Sequence, residues 1–86
     1  MKKWIVIASS HQGKVFQKRD GVLSYICSIS REDGFIQDMA AFLNSHENRF
    51  DFLTLIFPKE MASLLTQALK NNIRMKTTQK VDEFFR

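Results

Sequence analysis

Cysteine is nearly absent from this sequence, in which Cys27 is the single cysteine among 86 residues. One thiol cannot form an internal disulfide, and no cysteine pair is present to hold a metal ion. Both features are typical of a reducing compartment, so we predict a cytoplasmic location. The two histidines, His11 and His46, show no metal-ligand spacing with Cys27. We therefore expect no metal site and no cofactor.

Long hydrophobic runs are missing as well. Two lysines and the apolar residues 4–8 imitate the start of a secretory signal, but the run stops at Ser9 and polar residues follow. A secretory signal needs an apolar region of about 7 to 15 residues and a cleavage site. A membrane-spanning helix needs about 20 apolar residues. The sequence therefore predicts neither a secretory signal nor a membrane span.

Apolar and aromatic residues are plentiful: 44% of the chain is hydrophobic, and eight residues are Phe. The length predicts a single domain over residues 1–86, in which residues 81–86 form a final helical turn or a loose tail. The 13 basic and 9 acidic residues give a net charge of +4. This charge suits a basic surface that keeps the protein soluble or a nucleic-acid-binding face, and the former is the simpler interpretation.

Three antiparallel strands are predicted in the first half of the chain. Residues 3–8 form a continuous apolar and β-branched run that suits a central strand. Residues 14–19 alternate, and Asp20-Gly21 is a strong hairpin signal before a returning strand at residues 22–30. Strict alternation along that returning strand places four residues on one side: Leu23, Tyr25, Cys27 and Ile29.

Helices and strands alternate in the second half. Helical spacing starts at Phe35, with Asp33 as the predicted N-cap, and ends near residues 44–46. Residues 52–57 are the most apolar run and suit a parallel strand buried on both faces. A second helix is predicted from Pro58 to Leu69, because Pro fits the first helical turn. Alternating residues 73–78 then predict a strand at the sheet edge.

This order of elements, β-β-β-α-β-α-β, predicts an α+β fold with a mixed sheet. Right-handed crossovers give the strand order 3-2-1-4-5 and place both helices on one face. The opposite face of the first and fourth strands is then apolar and uncovered. Either Phe84 and Phe85 fold back over it or a second copy of the protein covers it, and we predict a homodimer.

Residues 3–8, the segment Gly13-Lys14-Val15-Phe16 and the hairpin at Asp20-Gly21 resemble the first half of the bacterial host-attachment protein family. The run from Phe50 to Pro58 and the following helix are similar to that family's fourth strand and helix, and Lys80 resembles its late lysine. The resemblance implies a ribonuclease H-like sheet, related to the central domain of archaeal and eukaryotic peptide release factors. It also implies a role in attachment.

Departures from these relatives limit what the resemblance implies. The chain lacks the family's long insertion before the first helix, and Val81 separates Lys80 from Asp82, which form an adjacent pair in the family. Release factors carry a Gly-Gly-Gln loop before that helix, whereas residues 31–35 read Arg-Glu-Asp-Gly-Phe. A ribonuclease H site would require an aspartate on the first strand, and residues 4–8 contain none. We therefore expect neither peptide-release nor metal-dependent nuclease chemistry, and we expect that the protein is not an enzyme.

The loop Ser9-Ser10-His11 follows a central strand, where a nucleophile and a base could be presented. No orienting acid or oxyanion hole is identifiable beside it, so a hydrolase is the least favoured function. His46 lies near a predicted helix end, where the helix dipole favours a cation. We therefore name no catalytic residue.

A basic cluster is predicted at the C-terminal edge of the sheet, formed by Lys70, Arg74, Lys76 and Lys80. These residues could contact a nucleic acid or a protein partner, or they could protect an exposed edge from aggregation. Two functions follow. The first is a small non-enzymatic interaction module, homodimeric and resembling host-attachment proteins, with an unknown protein partner. The second is a translation-associated protein that binds RNA or the ribosome.

Overall fold

The computed structural model describes residues 2–9 and 11–79. Its elements are β1 (Lys3–Ala8), β2 (Gln12–Arg19), β3 (Val22–Ser30), α1 (Phe35–Ser45), a 3-10 turn (Glu47–Arg49), β4 (Phe52–Ile56), α2 (Lys59–Ala68), α3 (Asn71–Arg74) and β5 (Thr77–Gln79). The five strands form one mixed sheet in the order β3-β2-β1-β4-β5. The predicted fold class and strand order are therefore confirmed.

β1 lies at the centre of the sheet. It runs antiparallel to β2, with Val6 opposite Val15, and parallel to β4, with Val6 opposite Leu55. β5 continues the parallel part, and β3 forms the other edge. The buried residues of α1 and α2 join one core with the inward residues of β1, β2 and β4. Both main helices therefore cover the same face of the sheet, as right-handed crossovers require.

The core between sheet and helices is closely packed. Its largest fully buried side chains are Phe57, Met39, Leu43, Leu53, Leu55, Leu65, Ile73, Val6 and Val15. A Cβ added at Gly13 would lie 2.7 Å from Met39 Cε and 3.0 Å from Phe35 Cζ. Glycine at this position of β2 lets α1 approach the sheet.

The predicted strand at residues 73–78 is wrong in its first half, because residues 71–74 form the short helix α3. The prediction rested on the alternation of apolar residues. In the structure, Ile73 is buried although it lies in a helical turn, and Met75 is 81% exposed. Asn44 holds the turn between α2 and α3. Its Oδ1 accepts from the Lys70 N–H at 2.9 Å, and its Nδ2 donates to the Ala68 carbonyl at 3.2 Å. Strand pairing begins only at Thr77.

Strict alternation in β3 is also wrong, because this strand contains a β-bulge. Val15 lies opposite Cys27, and the next residue, Phe16, lies opposite Tyr25, so Ile26 is the extra residue. A bulge inverts the alternation of side chains. Tyr25 therefore faces the side of the sheet opposite to Cys27, which packs against the core.

The start of α1 differs from the prediction in a smaller way. Gly34, with φ +80°, is the N-cap residue instead of Asp33, and no side chain caps the helix. Arg31 instead donates to both carboxylate oxygens of Asp38, at 3.0 and 3.1 Å. This pair ties the loop to the first turn of the helix.

Candidate nucleic-acid interface

One face of the sheet carries neither α1 nor α2, and we call its solvent-accessible part the open face. On β1, Trp4, Val6 and Ala8 are buried under the helices, so the residues between them point the other way. The register extends this face across β2, β3 and β4. The open face consists of Lys3, Ile5, Ile7, Lys14, Phe16, Lys18, Leu23, Tyr25 and Phe52.

Aromatic rings are prominent on the open face. Phe16 and Tyr25 are cross-strand partners whose ring centroids lie 5.8 Å apart in an edge-to-face arrangement. Tyr25 is 58% exposed, and its hydroxyl is held 2.7 Å from Ser28 Oγ. Phe52, at the other side of the face, is 46% exposed. Exposed rings of this kind present surfaces on which planar groups can stack.

The predicted burial of residues 52–57 on both faces holds for all but the first residue of the run. Thr54 and Ile56 share the helix-free side with Phe52, yet both are buried. Phe52 itself is exposed, which corrects the prediction for the start of the strand. Phe84 and Phe85, which were one of the two candidates to cover this face, and Lys80 of the basic cluster lie outside the described residues.

Positive charge accompanies the aromatic rings. Lys3 and Lys18 are directly opposite each other on β1 and β2, and Lys14 lies opposite Ile7. No Asp or Glu of residues 2–9 and 11–79 belongs to the open face, and the ion pairs seen in the same residues join Arg31 to Asp38 and Lys70 to Glu47. Like charges directly opposite in a sheet are destabilising. Lys3 and Lys18 therefore do not stabilise each other, and neither takes part in the ion pairs of the described residues.

Three residues of the predicted basic cluster lie in α3 or beside it in the chain: Lys70, Arg74 and Lys76. Arg74 is exposed in the last turn of that helix. Lys70 Nζ lies 3.4 Å from Glu47 Oε1 in an exposed ion pair. Whether these residues contact a nucleic acid or a protein remains a prediction.

Lys76, the third of these residues, also has a structural role. Its Nζ donates to the carbonyls of Glu47 at 2.8 Å and Phe50 at 2.7 Å, and it lies 4.5 Å from the centroid of the Phe50 ring. The ammonium group thereby satisfies carbonyl groups of the 3-10 turn and the residue that follows it, which would otherwise need water. Its charge is thus already engaged inside the fold.

The loop after β1 lines a cleft of about 470 Å³ between α1 and α2, together with residues of both helices. Ser9 N–H donates to the Gln12 carbonyl at 2.8 Å, and the His11 carbonyl accepts from Arg31 N–H at 2.9 Å. Ser10 lies outside the described residues. Within the part of the chain that is described, no group of three His, Cys, Asp or Glu side chains is arranged to hold a metal ion.

His46 closes the C-terminal end of α1. Its Nδ1 lies 2.7 Å from the Phe42 carbonyl, and its ring lies 4.4 Å from that of Phe42. The contact with a carbonyl of the last turn agrees with the predicted placement near the helix end. Cys27 lies nearby on β3, where burial raises the pKa of its thiol and thereby makes it less reactive.

Sequence reasoning missed most of the open face. The alternation of β3 predicts Tyr25 on the side of Cys27, whereas the structure places it on the opposite side. The bulge at Ile26 is what brings Tyr25 beside Phe16, and no residue type in the sequence marks it. The apolar run of residues 52–57 predicts an uncovered face opposite the helices, but on that side of β4 Thr54 and Ile56 are buried and Phe52 is exposed.

No family model matches this chain, and no curated protein matches its sequence. Solved structures do match. Pelota from Archaeoglobus fulgidus superposes with a TM-score of 0.71 at 14% identity, over 95% of this chain and 28% of Pelota. The Ppx/GppA phosphatase of Aquifex aeolicus superposes with a TM-score of 0.52 at 15% identity, over 96% of this chain and 36% of the phosphatase.

These similarities show the fold. The chain corresponds to one part of Pelota, a release-factor-related protein, which agrees with the implied release-factor-like sheet. Neither a family model nor a curated protein supports the resemblance to host-attachment proteins. Among the described residues, no helix is long and apolar enough to cross a membrane.

Proposed function

We propose that this domain is a non-catalytic RNA-binding module, and that RNA lies across the open face of the sheet. The observation that carries the proposal is the combination of exposed aromatic rings with lysines on a helix-free face to which none of the acidic residues in the described part of the chain belongs. The release-factor-like fold supports the translation-associated alternative over a role in host attachment.

Charge is the first step of the argument. Lys3, Lys14 and Lys18 are spread over two adjacent strands. Phosphate groups bound by lysines release condensed counterions, and this supplies much of the affinity for nucleic acids. A polyanion would also relieve the repulsion between Lys3 and Lys18. The same charges oppose a dimer in which two open faces pack against each other, so RNA fits this face better than a second copy does.

Stacking is the second step. Proteins that bind single strands commonly place successive bases on aromatic side chains of a sheet, flanked by basic residues that follow the backbone. Tyr25 and Phe52 are accessible rings at two sides of the face, and Phe16 supports Tyr25 edge-on. A duplex cannot use such rings because its bases are already stacked. We therefore expect a preference for single-stranded RNA.

The test is fluorescence anisotropy with a labelled single-stranded RNA of mixed sequence. Three lysine contacts predict a slope of about −2 for log affinity against log salt, or roughly 20-fold weaker binding between about 50 and 200 mM salt. The double variant Lys14→Glu/Lys18→Glu should bind about 10-fold more weakly or worse. Tyr25→Ala should lose about 1 to 3 kcal/mol of binding free energy, as expected for one stacked base.

Matched controls separate this face from the rest of the surface. Lys59→Glu reverses an exposed charge on α2, and Leu64→Ala truncates an exposed side chain of the same helix; neither should change the affinity. Lys70→Glu/Arg74→Glu tests the predicted basic cluster in the same assay. Full binding by the Lys14/Lys18 variant, or loss of binding only with Lys70 and Arg74, would contradict the proposal.

A further inference from the structure

The outer edge of the sheet is formed by β3, a long strand that carries no charge. All nine residues of this strand are uncharged, none is Pro, and most are exposed. Val22 is 63% exposed and Leu23 is 58% exposed. Natural edge strands are commonly short, or protected by lysine, proline, a β-bulge or a covering segment, because their free backbone groups can pair with another strand. Of these devices, β3 carries the bulge at Ile26, so the proposed pairing has to accommodate it. β5, at the other edge, is only three residues long.

The side chains of β3 suggest which strand would pair with it. The bulge at Ile26 inverts the alternation, so Leu23 and Tyr25 share the open side with Ser28, which Tyr25 contacts. When β3 is placed antiparallel to a copy of itself, one register puts the two side chains of every opposed pair on the same side of the sheet. That register pairs Leu23 with Ser30, Ser24 with Ile29, Tyr25 with Ser28 and Ile26 with Cys27.

Each larger side chain in this register lies opposite a smaller one, serine or cysteine. Cross-strand pairs are the unit of sheet stabilisation, so a strand that complements its own reversed copy favours self-pairing over pairing with an arbitrary peptide. The absence of charge on β3 also removes the repulsion that the lysines of the open face would cause in a face-to-face dimer.

We propose that two copies of this chain associate through antiparallel pairing of β3 with β3, which joins their sheets into one ten-stranded sheet. This dimer differs from the predicted one, in which a second copy covers a face, and it leaves the open face accessible. The two-fold axis lies between Ile26 and Cys27. Because few residues form the contact, the dimer dissociates on dilution. Pairing occupies the β3 edge of both copies, so the assembly grows no further than a dimer.

Light scattering over a concentration series tests the proposal. The mass should rise from the monomer value of 10.1 kDa to about twice that value and then stay constant. Ser24→Lys/Ser28→Lys adds charge to two exposed positions of the edge and should keep the protein monomeric. Ser63→Lys/Gln67→Lys adds the same charge to exposed positions of α2 and should dimerise normally. Circular dichroism checks that both variants are folded.

Oxidative cross-linking tests the register. Across the proposed axis the Cys27 Cα atoms lie about 6 Å apart, from a strand spacing of about 4.8 Å and a rise of about 3.3 Å per residue, which suits a disulfide. The wild type should form a cross-linked dimer. The variant Cys27→Ser/Ser30→Cys should not, because its thiols lie near opposite ends of the paired strands.

Three results would overturn the proposal: a monomer at all concentrations, growth beyond a dimer, or a dimer that the two β3 lysines leave intact. RNA affinity measured on the wild type at a dilution where light scattering shows a monomer keeps this test separate from the proposed function, because Ser28 contacts Tyr25 and its lysine variant would itself alter RNA binding. RNA binding without dimerisation would refute only the pairing of β3, and dimerisation without RNA binding would refute only the RNA-binding module.

Discussion

The two faces of the central strands use neighbouring residues for different purposes. On the helix side, Val6, Val15 and Leu55 lie side by side and are fully buried. On alternate residues of the same strands, the open face carries the exposed ring of Phe52 and the opposed lysines Lys3 and Lys18. A strand alternates its side chains between faces, so one sequence can build a core and a binding surface in the same segment. Substitutions on the helix side should therefore change stability, whereas substitutions on the open face should change binding.

The largest expected effect on stability is a truncation on the helix side. Leu55→Ala should lower the free energy of unfolding by about 2 to 5 kcal/mol, because it leaves a cavity in a fully buried position. Phe52→Ala, three residues earlier on the same strand but on the open face, should lower it by about 1 kcal/mol or less, since Phe52 is 46% exposed. Urea denaturation measures both. Equal losses would mean that the open face belongs to the core.

A second comparison contrasts two lysines around α3. Lys76→Met should lower the free energy of unfolding by about 1 to 3 kcal/mol, because the carbonyls of Glu47 and Phe50 lose their donor. Lys70→Met removes only a half-exposed ion pair with Glu47 and should change stability by about 0.5 kcal/mol or less. Thermal unfolding of the two variants gives the answer. A neutral Lys76→Met would show that its ammonium is dispensable and free to bind a ligand.

The smallest effect has the opposite sign. Lys18→Gln removes the repulsion with Lys3 and should stabilise the protein by about 0.2 to 0.5 kcal/mol while it weakens RNA binding. The gain should vanish at about 1 M salt, where surface charges are screened. Lys14→Gln is the control, because Lys14 lies on the same strand and face but opposite the uncharged Ile7. Destabilisation by Lys18→Gln would show that the lysine supports the fold.

Most of the fold could be predicted because it follows from long-range rules. The handedness of crossovers alone gives the strand order and places α1 and α2 on one face, and the apolar runs of β1 and β4 identify the centre of the sheet. The hairpin at Asp20-Gly21 is similarly explicit, since both residues adopt positive φ angles of 51° and 79°.

The candidate site could be predicted only in part, because it depends on details of pairing. Ile73, Met75 and Thr77 alternate like a strand, yet the fold buries Ile73 from a helix, which the pattern alone cannot distinguish. The bulge at Ile26 is decided by how β3 fits against β2. Without it, Tyr25 would not lie beside Phe16, and the aromatic pair of the open face would not exist.

The positions of two residues give the protein a built-in optical assay. Trp4 and Tyr25 are the single tryptophan and the single tyrosine of the chain. Trp4 is buried on the helix side, where its indole N–H donates to Gln17 Oε1 at 3.1 Å, whereas Tyr25 is exposed on the other side. Tryptophan emission therefore reports unfolding of the core, and tyrosine absorbance reports what occupies the open face. Each side of the sheet carries its own chromophore.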